Sequence, residues 1–192
     1  MYKYMKRILD IVFSVILLVA FFPLFLVIAM MIKVDSKGPA FFVQTRLGQD
    51  GKLFSIFKFR SMKSGTPDIA TDLLSDPSIY TTRIGRLLRQ TSLDELPQVW
   101  NILLGDMSFI GPRPSLYNQY KLNQERIRLG ITQIKPGLTG YAQIMGRDFI
   151  TDEQKLEFDK FYLDHMTLIL DIQILCNTII QVVRSENVRN NS

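Results

Sequence analysis

Residues 11–32 form a run of 22 positions without a charge, and beyond it short apolar stretches alternate with dense polar ones. The run is long enough to cross a bilayer, which takes about 20 residues. Pro23 stands at its middle, where a missing N–H breaks a backbone bond and bends a helix. The run therefore reads as one spanning helix, or as two helices broken at Phe22-Pro23 that dip in and return. No small-residue cleavage site follows it, which argues against a cleaved signal peptide. In residues 40–62 two β-rich stretches flank Gln49, Asp50, Gly51 and Lys52, and Asp-Gly predicts a hairpin turn. Period two puts Phe54, Ile56, Lys58 and Arg60 on one strand face, either as phosphate ligands or as charge protecting an edge. Residues 63–77 read as a polar surface loop with a short helical piece. Leu96, Val99, Trp100 and Leu103 recur at helical spacing and predict a helix of about ten residues stopped at Gly105. Residues 117–128 read as a polar helix. Residues 166–183 are amphipathic, with Thr167, Asp171, Thr178 and Gln181 against Leu168, Ile172, Leu175, Ile179 and Val182. That pattern suits a core helix or one lying in a membrane interface, with Arg184 and Arg189 at its end.

Charge sharpens the topology. Lys3, Lys6 and Arg7 precede the apolar run, and Lys33, Lys37 and Arg46 follow it. Positive charge at both ends gives no orientation for a spanning helix and lets both ends prefer the cytoplasm, which the broken form satisfies while the spanning helix stays open. The chain of 192 residues suits one domain, and its net charge of +5 with a pI near 9.3 expects acidic partners. Anionic lipid, nucleotide phosphate and nucleic acid all qualify. The single Cys176 lies in an apolar pattern, so it reads as buried packing and cannot form an internal disulfide. The last residues, 187–192, read as a disordered tail.

The chemistry concentrates in residues 89–114. Asp94 and Glu95 stand between Arg89 and Arg113. At the start of the expected helix, exposed N–H groups and the helix dipole would keep the carboxylates ionised and favour a phosphate beside them. Ser92 and Glu95 also fit a capping box, although Pro97 then falls five residues inside the helix. Prolines on both sides hold Arg113 on a rigid turn, suited to bidentate phosphate binding. Arg83, Arg86 and Arg89 form a basic helix face, for solvent or anionic headgroups, with Arg89 nearest Asp94. The stretch 135–148 holds Gly137, Gly140 and Arg147, and its glycines would let backbone approach a phosphate or nucleobase. No Walker or G-x-G-x-x-G pattern is present. Asp148, Asp152 and Asp159 read as mostly solvated acids, and the single His165 as structural. No His/Cys cluster suggests zinc, whereas one or two carboxylates plus substrate phosphates suit Mg²⁺.

SLDELPQ, then N-x-L-x-GDMSFIGPRP, then KPGLTGYAQ closely resemble the bacterial sugar transferase family, from about residue 6 to about residue 171. These are small monotopic phosphoglycosyl transferases that start glycan assembly on polyprenyl phosphate. The resemblance implies a re-entrant membrane hairpin broken at Phe22-Pro23. It implies a site lysine at Lys58 within KFRSM, and Asp94 as a nucleophile that carries a phosphosugar after UMP leaves. Polyprenyl phosphate then attacks that intermediate. Glu95 becomes the expected Mg²⁺ ligand, and Lys58, Arg60, Arg89, Arg113, Gly137, Gly140 and Arg147 the expected substrate-binding set. Met145 stands where the family usually has Asn. The expected fold is α+β and mostly helical: a membrane hairpin over residues 1–33, then a compact cytosolic catalytic domain over 34–186 with a short β-hairpin and amphipathic interfacial helices. Expected partners are a UDP-sugar, polyprenyl phosphate and anionic phospholipid, with no nucleic acid and a homo-oligomer left open. The expected location is the cytoplasmic face of a bacterial inner membrane. Two other classes remain: a membrane-bound glycosyl transferase or hydrolase releasing UDP or free sugar, and a non-enzymatic lipid-binding adaptor.

Overall fold

The computed structural model describes residues 2–67, 76–146 and 150–189, with side chains of the last helix up to Val182. The apolar run folds as two helices, α1 (Tyr2–Ala20) and α2 (Phe22–Asp35), bent by 61°. The break falls at Phe21, one residue before the expected point. Pro23 then lies in the first turn of α2, where its missing N–H leaves no ladder bond unmade. Among the described residues no single helix is long and apolar enough to cross a membrane, but the bent pair is, by length and composition.

Both outer ends of this pair are fastened to one body. Asp10 is buried and accepts from Ser108 Oγ and from the Phe109 N–H, each at 3.1 Å. Arg7 donates to the carbonyls of Ile102 at 2.5 Å and Leu103 at 2.8 Å, while Tyr2 and Lys6 both reach Asp171. At the other end Ile28 and Ile32 are buried with Phe59 and Leu88, and Asp35 accepts from the Ile84 N–H at 3.1 Å. Between these anchors the bend exposes Val19, Phe21 and Phe22. A hydrophobic segment tied down at both ends, by polar groups at one and mainly by apolar packing at the other, and bare in the middle, is not folded around its own core.

Strands β1 (Phe41–Leu47) and β2 (Leu53–Phe59) form the expected antiparallel hairpin, in register from Phe41↔Phe59 to Leu47↔Leu53. Asp50 and Gly51 take positive φ of 55° and 74° in its turn, which is what that dipeptide tolerates. Helix α3 (Pro77–Tyr80) and helix α4 (Arg83–Gln90) follow, then α5 (Gln98–Leu104). Asn101 on α5 is fully buried and takes the place of a third strand. It accepts from the Phe57 N–H at 2.9 Å and donates to the Ser55 carbonyl at 2.7 Å. That demand rotates α5: Gln98, Val99, Asn101 and Ile102 face inward while Trp100 is 48% exposed. The helix is also shorter than expected, seven residues, and Gly105 ends it at φ 101°.

Strand β3 (Ser108–Ile110) pairs in parallel with β4 (Gly137–Thr139), with α6 (Tyr120–Arg128) between them in sequence. Helices α7 (Tyr141–Gly146), α8 (Asp152–His165) and α9 (Leu168–Arg189) complete a mostly helical α+β fold. Helix α9 runs three residues into the stretch expected to be disordered. Its amphipathic faces are inverted relative to a core helix. Asp171 and Ile174 are buried, Thr178 meets Thr139 at 2.7 Å, and Gln181 donates to the Ile144 carbonyl at 2.7 Å. Leu168, Ile169, Ile172, Leu175, Ile179 and Ile180 face outward. Cys176 is exposed with them, against the expectation of burial, because the apolar stripe it belongs to is the outer one.

Candidate active site

Three elements meet at the acidic pair. Asp94 and Glu95 lie in a 3-10 turn, Leu93–Glu95, between α4 and α5. Ser92 before them is left-handed at φ 57° and its side chain caps nothing, so the capping-box reading is set aside. Helix α5 begins only at Gln98, so its dipole is not what holds the carboxylates; side-chain cations are. Strand β2 brings Lys58, whose Nζ donates to Glu95 Oε1 at 2.7 Å, and the turn after β3 brings Arg113, whose Nη2 donates to the same oxygen at 2.9 Å. Lys58 and Glu95 side chains keep 15% and 19% of their surface, and Arg113 keeps 50%.

The two carboxyls are driven apart. Burial acts to raise Glu95, but Arg113 and Lys58 outweigh it and hold the group far below the usual carboxylate range. Asp94 is pushed up to about 6, by burial first, with Lys58 opposing and Glu95 adding. Arg89 and Arg113 also pull it down, weakly. The expectation of an acid kept ionised by a helix end is therefore corrected: Asp94 loses more to burial than it gains. It still carries its charge above about pH 6, and its carboxylate accepts no hydrogen bond from a described residue. Burial also lowers Lys58, with Glu95 working against it.

The turn that presents Arg113 is braced from behind. Arg126 donates to the Arg113 carbonyl at 2.7 Å and Arg46 to the Pro114 carbonyl at 3.0 Å. Arg126 in turn pairs with Asp159 at 2.7 Å, both side chains almost fully buried. Asp159 is thus not a solvated acid. The turn also docks on the glycine-rich stretch: Gly111 donates to the Thr139 carbonyl and Gly137 to the Pro112 carbonyl, each at 2.9 Å. A Cβ on Gly137 would sit 2.1 Å from the Gly111 nitrogen, and one on Gly140 2.1 Å from the Gly111 oxygen. These glycines admit the GPRP backbone, so their place in this structure is packing under Arg113, not the open side of the acidic pair.

Lys58, Arg89, Asp94, Glu95 and Arg113 are thus brought together. Arg60 is not among them. Its guanidinium donates to the carbonyls of Ser36 and Lys37, at 2.8 and 2.9 Å, and closes the end of α2. Period two failed there because β2 ends at Phe59. Arg147 and Asp148 lie outside the described residues. Phe22 and Pro23 sit at the exposed bend between α1 and α2, remote in sequence from the acidic pair. His165 stacks on Phe161 at the end of α8. Asn101 and Arg126 were not picked out from the sequence, and Asp159 only as a solvated acid; Asn101 stood inside the N-x-L-x-GD pattern, and the other two carried no local signal of their pairing.

Among the described residues no group of three or more His, Cys, Asp or Glu gathers as a metal cage. Glu95 Oε2 accepts no hydrogen bond from a described residue, and with Asp94 it offers the one or two carboxylates that Mg²⁺ takes alongside substrate phosphates.

The sequence profile of the bacterial sugar transferases matches residues 1–185. The uncharacterized sugar transferase EpsL of Bacillus subtilis is 39% identical over 185 residues, covering 96% of this chain and 90% of that protein. A UDP-glucose:undecaprenyl-phosphate glucose-1-phosphate transferase of Klebsiella pneumoniae is 39% identical over 181 residues, 91% of this chain but 39% of that longer protein. A UDP-N-acetylgalactosamine-undecaprenyl-phosphate N-acetylgalactosaminephosphotransferase of Aeromonas hydrophila is 36% identical over 183 residues, 93% of this chain and 43% of the relative. The chain thus spans nearly all of one relative and about two fifths of the others. On a match of this extent the chain belongs to the bacterial sugar transferase family.

Proposed function

We propose that this protein transfers a phosphosugar from a UDP-sugar to polyprenyl phosphate, giving polyprenyl-diphosphate-sugar and UMP. The observation that carries the reading is the split between the two acids. Glu95 is bonded by Lys58 and Arg113, while Asp94 beside it accepts no hydrogen bond from a described residue and has a raised pKa. A carboxylate so placed is an anionic nucleophile among cations that offset the charge of a diphosphate. Asp94 oxygen attacks the phosphorus that bears the sugar. The bond from that phosphorus to the bridging oxygen breaks, and UMP leaves with the electron pair. An oxygen of polyprenyl phosphate then attacks the same phosphorus, and the Asp94 carboxylate leaves unchanged. No net proton is needed in either half. Arg113 and Lys58 bind phosphate oxygens and Arg89 adds positive charge near Asp94. Mg²⁺, held by Glu95 with Asp94 alongside, would supply further charge neutralisation on the diphosphate.

The membrane arrangement follows the same logic. The start of α1 and the end of α2 dock on one body, which supports a re-entrant pair with both ends on the side of the catalytic domain, taken as the cytoplasmic face. The outward apolar face of α9 supports contact with the bilayer interface. Screening UDP-sugars with purified protein, polyprenyl phosphate and Mg²⁺ tests the reaction: UMP with a lipid-linked diphosphate sugar supports it, and UDP or free sugar as the nucleotide-side or sugar product rejects it.

A further inference from the structure

At the end of α5 away from the acidic pair lies a small open cleft of about 90 Å³, lined by Lys3, Lys6, Arg7, Asp10, Lys135 and Met166 among others. Its four cations are unevenly used. Lys6 pairs with Asp171, and Arg7 is spent on the Ile102 and Leu103 carbonyls. Lys3 and Lys135 make no hydrogen bond or ion pair with a described residue. Arg7 Nη2 and Lys135 Nζ nonetheless crowd one point, lying 3.2 and 3.4 Å from where a Cβ on Gly105 would be. Asp10 faces the cleft too, but its Oδ1 already accepts from Ser108 and Phe109. Burial and then Arg7 push the Lys135 amine down, while Asp10 and, less, Asp106 attract it. The cleft is therefore a concave site, net positive with four cations against the single lining carboxylate of Asp10.

Its position selects the anion. From the residue after Arg7 onward the outward face of α1 is apolar, with Ile8, Val12 and Phe13 exposed. Met166 lines the cleft, and two residues on the outward face of α9 begins with Leu168 and Ile169. Lys6 and Tyr2 bond Asp171, so the two apolar faces start at the same level. Cations at the foot of two lipid-facing helices stand where headgroups lie.

We infer that this cleft binds the phosphodiester headgroup of an anionic phospholipid, with Lys3 and Lys135 as its principal cations. The inference rests on the membrane association proposed above but not on the transfer reaction. Bound lipid would fix the depth and roll of α1, and through Arg7 and Asp10 hold α5 and β3 level with the surface.

The test titrates phosphatidylglycerol into neutral detergent micelles containing the full chain and counts retained lipid by native mass spectrometry. The wild type retains one phosphatidylglycerol. K3Q/K135Q binds it roughly tenfold or more weakly, as the loss of two surface-level charges predicts. K3R/K135R restores binding, and K155Q/K160Q, which removes the same charge from α8, leaves it unchanged. Equal weakening in both glutamine variants, equal retention of phosphatidylcholine, or displacement by inorganic phosphate at matched concentration each overturns the inference. Flotation with phosphatidylcholine vesicles reads the membrane association by itself: a wild type that does not float refutes that association, while the micelle titration still judges the cleft.

Discussion

Arg126 donates to the backbone carbonyl of Arg113 at 2.7 Å while its other terminal nitrogen is bound by the buried carboxylate of Asp159. A side chain thirteen residues away thus sets where the site guanidinium stands. Removing one partner of a buried ion pair costs about 3–5 kcal/mol, because the other charge is left without compensation. Asp159→Ala should therefore lower stability by about 3 kcal/mol, read as a fall in denaturation midpoint. An apolar pair, R126M/D159L, should recover most of that stability yet remain roughly tenfold or more below wild-type kcat/KM, since the Arg113 carbonyl has lost its donor. Full recovery of activity in the apolar pair would reduce the ion pair to a stability element.

The raised pKa of Asp94 predicts a trade between stability and turnover. Burial makes the folded protein hold a proton on Asp94 more tightly than the unfolded chain does, whose value is near 3.8. Above about pH 6 the folded state carries the cost of the ionised group; the cost fades as pH falls from 6 toward 4 and is absent below that. Asp94→Asn should accordingly stabilise the protein at pH 7.5 by about 1–2 kcal/mol, allowing for the solvent that the half-buried carboxylate keeps. Most of that gain should vanish by about pH 4 in thermal melts. Wild-type activity should fall about tenfold per pH unit below about pH 6, as the nucleophile protonates. An Asp94→Asn variant whose gain over wild type is no larger at pH 7.5 than at pH 4 would contradict the assigned pKa.

Arg113→Lys keeps the charge and loses the planar fork. Its activity should drop by at least about tenfold, or 1.4 kcal/mol of transition-state stabilisation. Stability should change little, because the Arg113 side chain is half exposed. Wild-type rates in this variant would leave the GPRP segment a structural turn only.

Topology is tested with single cysteines at residues 3 and 37, in a background where the exposed Cys176 has been replaced. Both should be shielded from a membrane-impermeant thiol reagent in intact cells and both should react after lysis. Labelling at residue 3 alone in intact cells would establish a spanning helix.

What the sequence made legible was local. The Asp50-Gly51 turn, the stop at Gly105, the break near Pro23 and the DE pair flanked by arginines all rest on neighbours within a few residues. Pairings between distant segments left no such trace. Arg126 with Asp159, Asp10 with Ser108 and Arg7 with Ile102 join residues 33, 98 and 95 positions apart. Periodicity left α9 open between a core helix and an interfacial one, because it cannot say which face turns inward: α1 and α9 turn Asp10, Ser14, Asp171, Thr178 and Gln181 inward, the reverse of the usual rule. Arg60 was misplaced for another reason, since alternation has no force one residue past the end of a strand. The capping-box alternative for Ser92 falls because its left-handed backbone, rare for serine, cannot serve one.

The central claim is that Asp94 carries the phosphosugar, and a single intact-mass experiment meets it most directly. Protein, Mg²⁺ and the UDP-sugar found to be turned over are mixed without polyprenyl phosphate, quenched in acid and mapped by peptide mass. The account predicts stoichiometric UMP release and the mass of one phosphosugar on the peptide containing Asp94, discharged when polyprenyl phosphate is added and absent in Asp94→Asn. An adduct on Glu95, or an Asp94→Asn variant that turns over near the wild-type rate, would contradict it.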